Sequence, residues 1–144
     1  MSPVSLVLNL LWLFFGGFWM AVGWLIAGVI MTISIIGLPF AAAAFGMARY
    51  AFLPFGQTAV DREWLTGRID LGTSPAGTLA NMVWLVLAGW WLALGHLVTA
   101  IGLGITIIGL PFAWAHLKLA GYALWPIGQT VVLTEDLNRR YRPF

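Results

Sequence analysis

The chain has 144 residues, 61 % hydrophobic and 8 % charged, with a net charge of +2 and no cysteine. Soluble domains carry about 25 % charged residues, and a chain this short has too little polar surface to cover so much apolar area, so a water-soluble core is excluded. Disulfides and thiol chemistry are excluded as well, and the few scattered cations form no basic stripe for nucleic acid.

The first segment sets the pattern. Nothing from Ser2 to Ala48 is ionisable. This apolar run of about 35 residues exceeds the 7–15 of a signal-peptide core and lacks a basic leader, so we expect it to be retained. Ile35-Ile36-Gly37-Leu38-Pro39-Phe40-Ala41 then returns as Ile107-Ile108-Gly109-Leu110-Pro111-Phe112-Ala113, a shift of 72 residues without a gap. Residues 7–60 and 79–132 share 25 identities in 54 positions; chance at this composition would give about 5, so the chain is an internal duplication. Unit 1 spans 4–60 and unit 2 spans 76–132. Between them lies a charged linker, 61–75, and after them a polar basic tail, 133–144.

Each unit of about 57 residues would make about 85 Å of helix, against a hydrocarbon core of about 30 Å. The expected fold is therefore an all-α polytopic membrane protein of two tandem homologous units. Each unit holds about two transmembrane helices, about four in total, with Gly-Pro-broken helices as a variant. Arg62 and Arg68 in the linker and Arg139, Arg140 and Arg142 in the tail place both segments in the cytoplasm by the positive-inside rule, which makes the repeats parallel and both termini cytoplasmic. The turn inside each unit falls either near Gly23–Gly28 or at the Gly37-Leu38-Pro39 step. Gly37, Pro39, Gly109 and Pro111 read as helix-break residues, forming a kink, a tight hairpin, or a re-entrant end facing a solute.

Polar side chains in apolar segments are the candidates for function. Asn9 and Asn81 occupy equivalent positions, suited to an interhelical hydrogen bond or a pore lining. His96 and His116 occur only in unit 2, replacing Trp24 and Ala44; they fit no zinc spacing, and structural hydrogen bonding is their default role. Arg49 and Lys118 lie at nearly equivalent positions before the Pro-x-Gly-Gln-Thr ends, suited to lipid headgroups or to attracting anions at a pore mouth. Gly17-x-x-x-Ala21 and Gly89-x-x-x-Ala93 allow close helix approach. Trp12, Trp19, Trp84, Trp90, Trp91 and Trp125 suit interfacial belts and packing. Every carboxylate lies in the linker or tail, so no catalytic residue, cofactor or metal is expected.

The two Ile-Ile-Gly-Leu-Pro-Phe segments, Gly89-Trp90-Trp91 and Ala123-Leu124-Trp125-Pro126-Ile127-Gly128 resemble the YccF-type small inner-membrane proteins of bacteria. The resemblance covers nearly the whole chain and implies residence in the bacterial inner membrane, but it supplies no reaction, ligand or catalytic residue. The functional expectation is a small channel or transporter subunit, homo-oligomeric, in contact with the lipid bilayer and handling an ion or small solute. The alternative is a non-catalytic structural, lipid-binding or partner-binding accessory protein.

Overall fold

A computed structural model describes residues 2–141, so Arg142 and the remainder of the tail lie outside the described residues. Helix α1 (Pro3–Trp12) starts where the Ser2 hydroxyl accepts the Ser5 N–H at 3.1 Å and Pro3 occupies the first turn, where its missing N–H costs nothing. The chain then breaks at Phe15 and Gly16, with Gly16 at φ 102°, before α2 (Phe18–Ile33). Unit 2 carries Ala88 at the position of Gly16, and a side chain there disfavours positive φ. So α5 (Pro75–Trp84) passes without such a break through a widened π turn at Leu85–Gly89 into α6 (Trp90–Gly104).

The turn inside each unit lies at the Gly-Leu-Pro step. Ser34 Oγ donates to the Met31 carbonyl and accepts the Gly37 N–H, both at 3.1 Å. Thr106 repeats the arrangement with Leu103 and Gly109 at 3.1 and 3.0 Å. Gly37 and Gly109 are required because a Cβ would press on the Met31 and Leu103 carbonyls. Pro39 and Pro111 open the return helices, α3 (Ala41–Phe52, after a 3-10 turn at Leu38–Phe40) and α7 (Leu110–Leu124). Each unit thus contains a helical hairpin.

The expectation of an all-α chain is corrected by a small sheet. β1 (Gln57–Asp61) pairs antiparallel with β2 (Gln129–Leu133). These strands end the two units, and among the described residues each pairs with the other unit's strand alone. A five-residue run with a partner 72 residues away leaves too short a pattern to read as a strand. The register centres on Ala59↔Val131, two positions related by the 72-residue shift. Tyr50 and Tyr122 (ring centroids 5.9 Å apart) and Trp24 and His96 (3.2 Å) are further pairs of this kind. A residue touches its own counterpart only at a twofold axis, so these pairs trace a pseudo-twofold axis through the molecule. The Tyr122 hydroxyl donates to the Ala59 carbonyl at 3.0 Å, and His116 meets His96 at 2.9 Å. The order along the axis is therefore sheet, then α3 and α7, then α2 and α6.

Across that axis α3 and α7 run antiparallel. Phe55, just beyond α3, meets Phe112 at the start of α7 with centroids 5.7 Å apart. At the symmetric place, Pro39, Phe40 and Ala43 line one cavity of about 200 Å³ with Ile127 and Gly128. The core between the layers holds Trp12, Trp24, Trp84, Tyr50, Met47, Phe112 and Leu119 amid many alanines.

The outer surfaces of α1, α2, α5 and α6 are apolar, and the hairpin tips carry the largely exposed Ile35, Ile36, Ile107 and Ile108, as a bilayer requires. The stretches Pro3–Ile33 and Pro75–Gly104 are long and apolar enough to cross a membrane. Helices α3 and α7, with 12 and 15 residues, reach only about 18 and 22 Å, short of a core of about 30 Å.

The linker is docked rather than loose. Asp61 caps the short α4 (Arg62–Thr66) by accepting the Trp64 N–H at 3.0 Å. Arg62 donates twice to Asp70, at 2.7 and 2.8 Å, and once to the Gln129 carbonyl at 3.3 Å. The Arg62 guanidinium, with the Thr73 and Gly72 N–H groups, holds the Asp70 carboxyl down at about 2. The tail helix α8 (Thr134–Tyr141) joins α4 through stacked Trp64 and Tyr141 rings, 4.8 Å apart.

Two glycines separate packing from propensity. A Cβ at Gly17 would overlap the buried Trp12 ring, whereas nothing lies near Gly121. Gly17→Ala is expected to lower stability by about 1–3 kcal/mol, and Gly121→Ala to leave it unchanged or raise it by up to about 1 kcal/mol, measured by thermal unfolding in detergent. Equal effects would contradict the packing described.

Candidate functional site

Pro54 and Pro126 give no N–H, and the chain turns sharply at Gly56 and Gly128, both at positive φ, so α3 and α7 cannot continue and their last carbonyls need donors from elsewhere. Asn9 and Trp12, one turn apart on α1, fill that need in unit 1. Asn9 Oδ1 accepts the Phe55 N–H at 2.9 Å while its Nδ2 donates to the Phe55 carbonyl at 3.0 Å. Trp12 Nε1 donates to the Ala51 carbonyl at 2.7 Å, which in a continuing helix would have taken the Phe55 N–H. Unit 2 repeats the device. Asn81 exchanges bonds of 3.0 and 2.8 Å with Ile127, and Trp84 donates to the Ala123 carbonyl at 2.8 Å. Both asparagines are fully buried, and each faces the last turn of its own unit's short helix, not the other asparagine.

The axis carries the second polar group. Trp24 Nε1 donates to His96 Nε2 at 3.2 Å, and His96 Nδ1 lies 2.9 Å from His116 Nδ1. An indole nitrogen can only donate, so His96 Nε2 is bare and its proton is on Nδ1. That proton is given to His116 Nδ1, which leaves the His116 proton on Nε2. The bonding pattern therefore fixes a directed chain, Trp24 to His96 to His116, with each ring carrying one proton. His116 lies against the Trp12 ring, centroids 4.2 Å apart, and its buried Nε2 faces the chain break at Phe15 and Gly16.

The structure thus brings His96 and His116 together, which reading them singly missed. The signal was present: both lie ten residues from Thr106, so a hairpin turning there sets them opposite each other. No cluster of three or more metal-ligating side chains occurs among the described residues. Arg49 stands on the exposed stripe of α3 with Phe45 and Phe52, and Lys118 is partly buried on α7. Among the described residues no hydrogen bond or ion pair links Arg49 or Lys118 to the other or to the histidines. Gly37, Pro39, Gly109 and Pro111 belong to the hairpin turns described above.

Two measurements follow. Asn81→Ala leaves the Ile127 N–H and carbonyl buried without partners, at about 1–3 kcal/mol for each; a clear drop in unfolding temperature is expected, and an unchanged one would contradict the clamp. Nitrogen NMR of histidine-labelled protein is expected to show His96 protonated at Nδ1 and His116 at Nε2; the reverse assignment would break the chain of donors.

Comparison with known proteins agrees with these repeated units. A family model described as the YccF inner membrane component domain matches twice, at residues 7–57 and 79–129. Each match contains one whole clamp, from Asn9 or Asn81 through the Pro-x-Gly turn. The inner membrane protein YccF of Escherichia coli K12 is 37 % identical over 131 residues, covering 90 % of this chain and 88 % of that protein, and its Shigella flexneri counterpart gives the same figures. No solved structure matches. With two copies of the domain and relatives aligned along nine-tenths of its length, the chain belongs to the YccF family of bacterial inner-membrane proteins.

Proposed function

We propose that this protein is a non-catalytic accessory of the inner membrane: a lipid-seated, pseudo-twofold support whose polar layer docks a partner protein, rather than a subunit that conducts solute between its own helices. The observation that carries this reading is the burial of the intramembrane polar side chains away from any continuous path. Each asparagine both donates to and accepts from the backbone of its own unit, and the Trp24–His96–His116 chain is buried and ends inside the core. A conducting path needs polar groups that face water along a line; here the asparagines face backbone and the histidine chain runs between buried rings.

The polar layer has features suited to recognition. A groove of about 570 Å³ beside β2 and α8 has Leu65, Val131 and Leu137 in its lining, with Asp136, Arg139 and Arg140 among the polar groups there. Arg139 lies 3.6 Å from Asp136, which leaves Arg140 to meet an acidic group. The fitting occupant is a partner segment with an apolar anchor beside a carboxylate. Pairing of β1 with β2 supports both units ending on one side, and Arg62, Arg68, Arg139 and Arg140 in this layer support the cytoplasm as that side. Arg49 and Lys118 serve as contacts to anionic headgroups.

The test has two arms. Purified protein in liposomes is expected to give no more ion flux than protein-free liposomes. A protein cross-linked to the full chain in membranes is expected to be lost with Leu137→Asp and with Arg140→Glu, while both variants remain folded in the membrane. Conductance of the purified chain that responds to substitution of the asparagines, or partner capture indifferent to both groove variants, would overturn the reading.

A further inference from the structure

We propose that the chain is held by a single leaflet: its hairpins enter the acyl region from the side that carries the sheet and do not cross to the other side. The exposed face of α2 and α6 and the four tip isoleucines then have the hydrocarbon of that leaflet as their partner. The inference uses the polar layer but not the docking of any protein to it.

The argument starts from where charge lies. Apart from Arg49 and Lys118 on α3 and α7, the charged residues of the described chain belong to β1, α4, the linker and α8. These elements stand with the two-stranded sheet at one end of the pseudo-twofold axis. Were the axis to lie in the membrane plane, this whole layer would face acyl chains, where unpaired charges are strongly unfavourable. The axis therefore stands along the membrane normal with the sheet toward water. The two hairpins, related by that axis, sit at equal depth.

The helices do not run along the axis. The end of α3 meets the start of α7, as the Phe55 and Phe112 rings show at 5.7 Å, and Trp12, bonded to Ala51 at the end of α3, lies against His116 in the middle of α7. An α3 standing upright in the bilayer would separate its two ends in depth by about 18 Å and forbid such contacts. The cavity that holds Pro39, Phe40 and Ala43 gives the same result with polar partners: Arg62 and Asp70 line it too. The start of α3 thus adjoins the docked linker. Ile36 is three residues before Pro39, within about 10 Å of chain, so the tip cannot lie a bilayer thickness away from Arg62.

The tips are built for lipid. Ile35, Ile36, Ile107 and Ile108 are 89, 82, 87 and 76 % exposed, and no Trp, Tyr or charged residue lies between Val29 and Ala44 or between Val98 and Ala113 to anchor a tip at a far interface. The Ser34 and Thr106 hydroxyls supply the acceptors that the Gly37 and Gly109 N–H groups need, which matters where no water is available. The long apolar stretches Pro3–Ile33 and Pro75–Gly104 are compatible with this placement because the first breaks at Gly16 and the second widens at Leu85–Gly89, so neither is one uninterrupted α-helical rod.

The absence of cysteine makes the test direct. Single cysteines replace Ile35, Ile107 and, as a control in the linker, Arg68; all three side chains are exposed, so none of the substitutions opens the core. A membrane-impermeant maleimide is applied to spheroplasts and to inside-out vesicles. Arg68→Cys is expected to react from one side only, and Ile35→Cys and Ile107→Cys from neither side until detergent is added. A nitroxide on either tip is expected to be relaxed by oxygen more than by a water-soluble nickel chelate. It is also expected to respond to a headgroup quencher placed in the leaflet from which Arg68→Cys reacts. Labelling of either tip in intact membranes, or quenching from the opposite leaflet, overturns the proposal.

Discussion

The architecture depends on one interaction made twice. An asparagine amide and, one turn later, an indole reach from α1 to the end of α3 in unit 1, and from α5 to the end of α7 in unit 2. Backbone groups at a helix end cannot be left bare away from water, and here proline removes the means of continuing the helix. The clamp satisfies the backbone of the terminal turn and fixes the angle at which the chain leaves it. Gly56 and Gly128 then aim β1 and β2 at each other. The sheet on the axis is a consequence of two identical exits, and it joins halves that otherwise meet mainly through side chains.

Symmetry also explains where the halves must differ. A residue on a twofold axis meets its own copy, so a polar side chain there must be able to bond with itself. Two tryptophans cannot, since each offers only a donor. His96 in place of the second tryptophan turns the pair into donor and acceptor, and its remaining nitrogen then needs a partner, which His116 supplies where unit 1 has Ala44. The break at Gly16 faces the far nitrogen of His116, and unit 2, with Ala88, lacks it. Three departures from the repeat, His96 for Trp24, His116 for Ala44 and Ala88 for Gly16, therefore meet around one buried chain of hydrogen bonds.

Much of this was legible in the residues. The duplication and the membrane setting follow from identities and from the lack of charge before Arg49; proline's missing N–H made the Gly-Leu-Pro step one of two candidate turn sites, the other being Gly23–Gly28. The pairing of β1 with β2 was not legible, because five residues carry little periodicity and their partner lies in the other unit. The meeting of His96 with His116 required the turn to be fixed at Thr106 first. Four full spans looked natural from chain length alone. The short extents of α3 and α7 and the closeness of Pro39 to Arg62 are tertiary facts that length cannot encode. The asparagines were legible as costly residues, but their partners, backbone groups 46 residues away, were not.

The antiparallel crossing of α3 and α7 is the fact on which the axis, the layering and the placement in the membrane all rest. Cysteines placed pairwise in this cysteine-free chain and treated with a short bismaleimide test it most directly. The account predicts efficient cross-linking between positions 55 and 112 and between positions 40 and 127, each pair joining the end of one short helix to the start of the other, and none between positions 40 and 55 at the two ends of α3. Cross-linking of 40 with 112 in place of these pairs would mean that the short helices run side by side in the same direction, and would contradict the account.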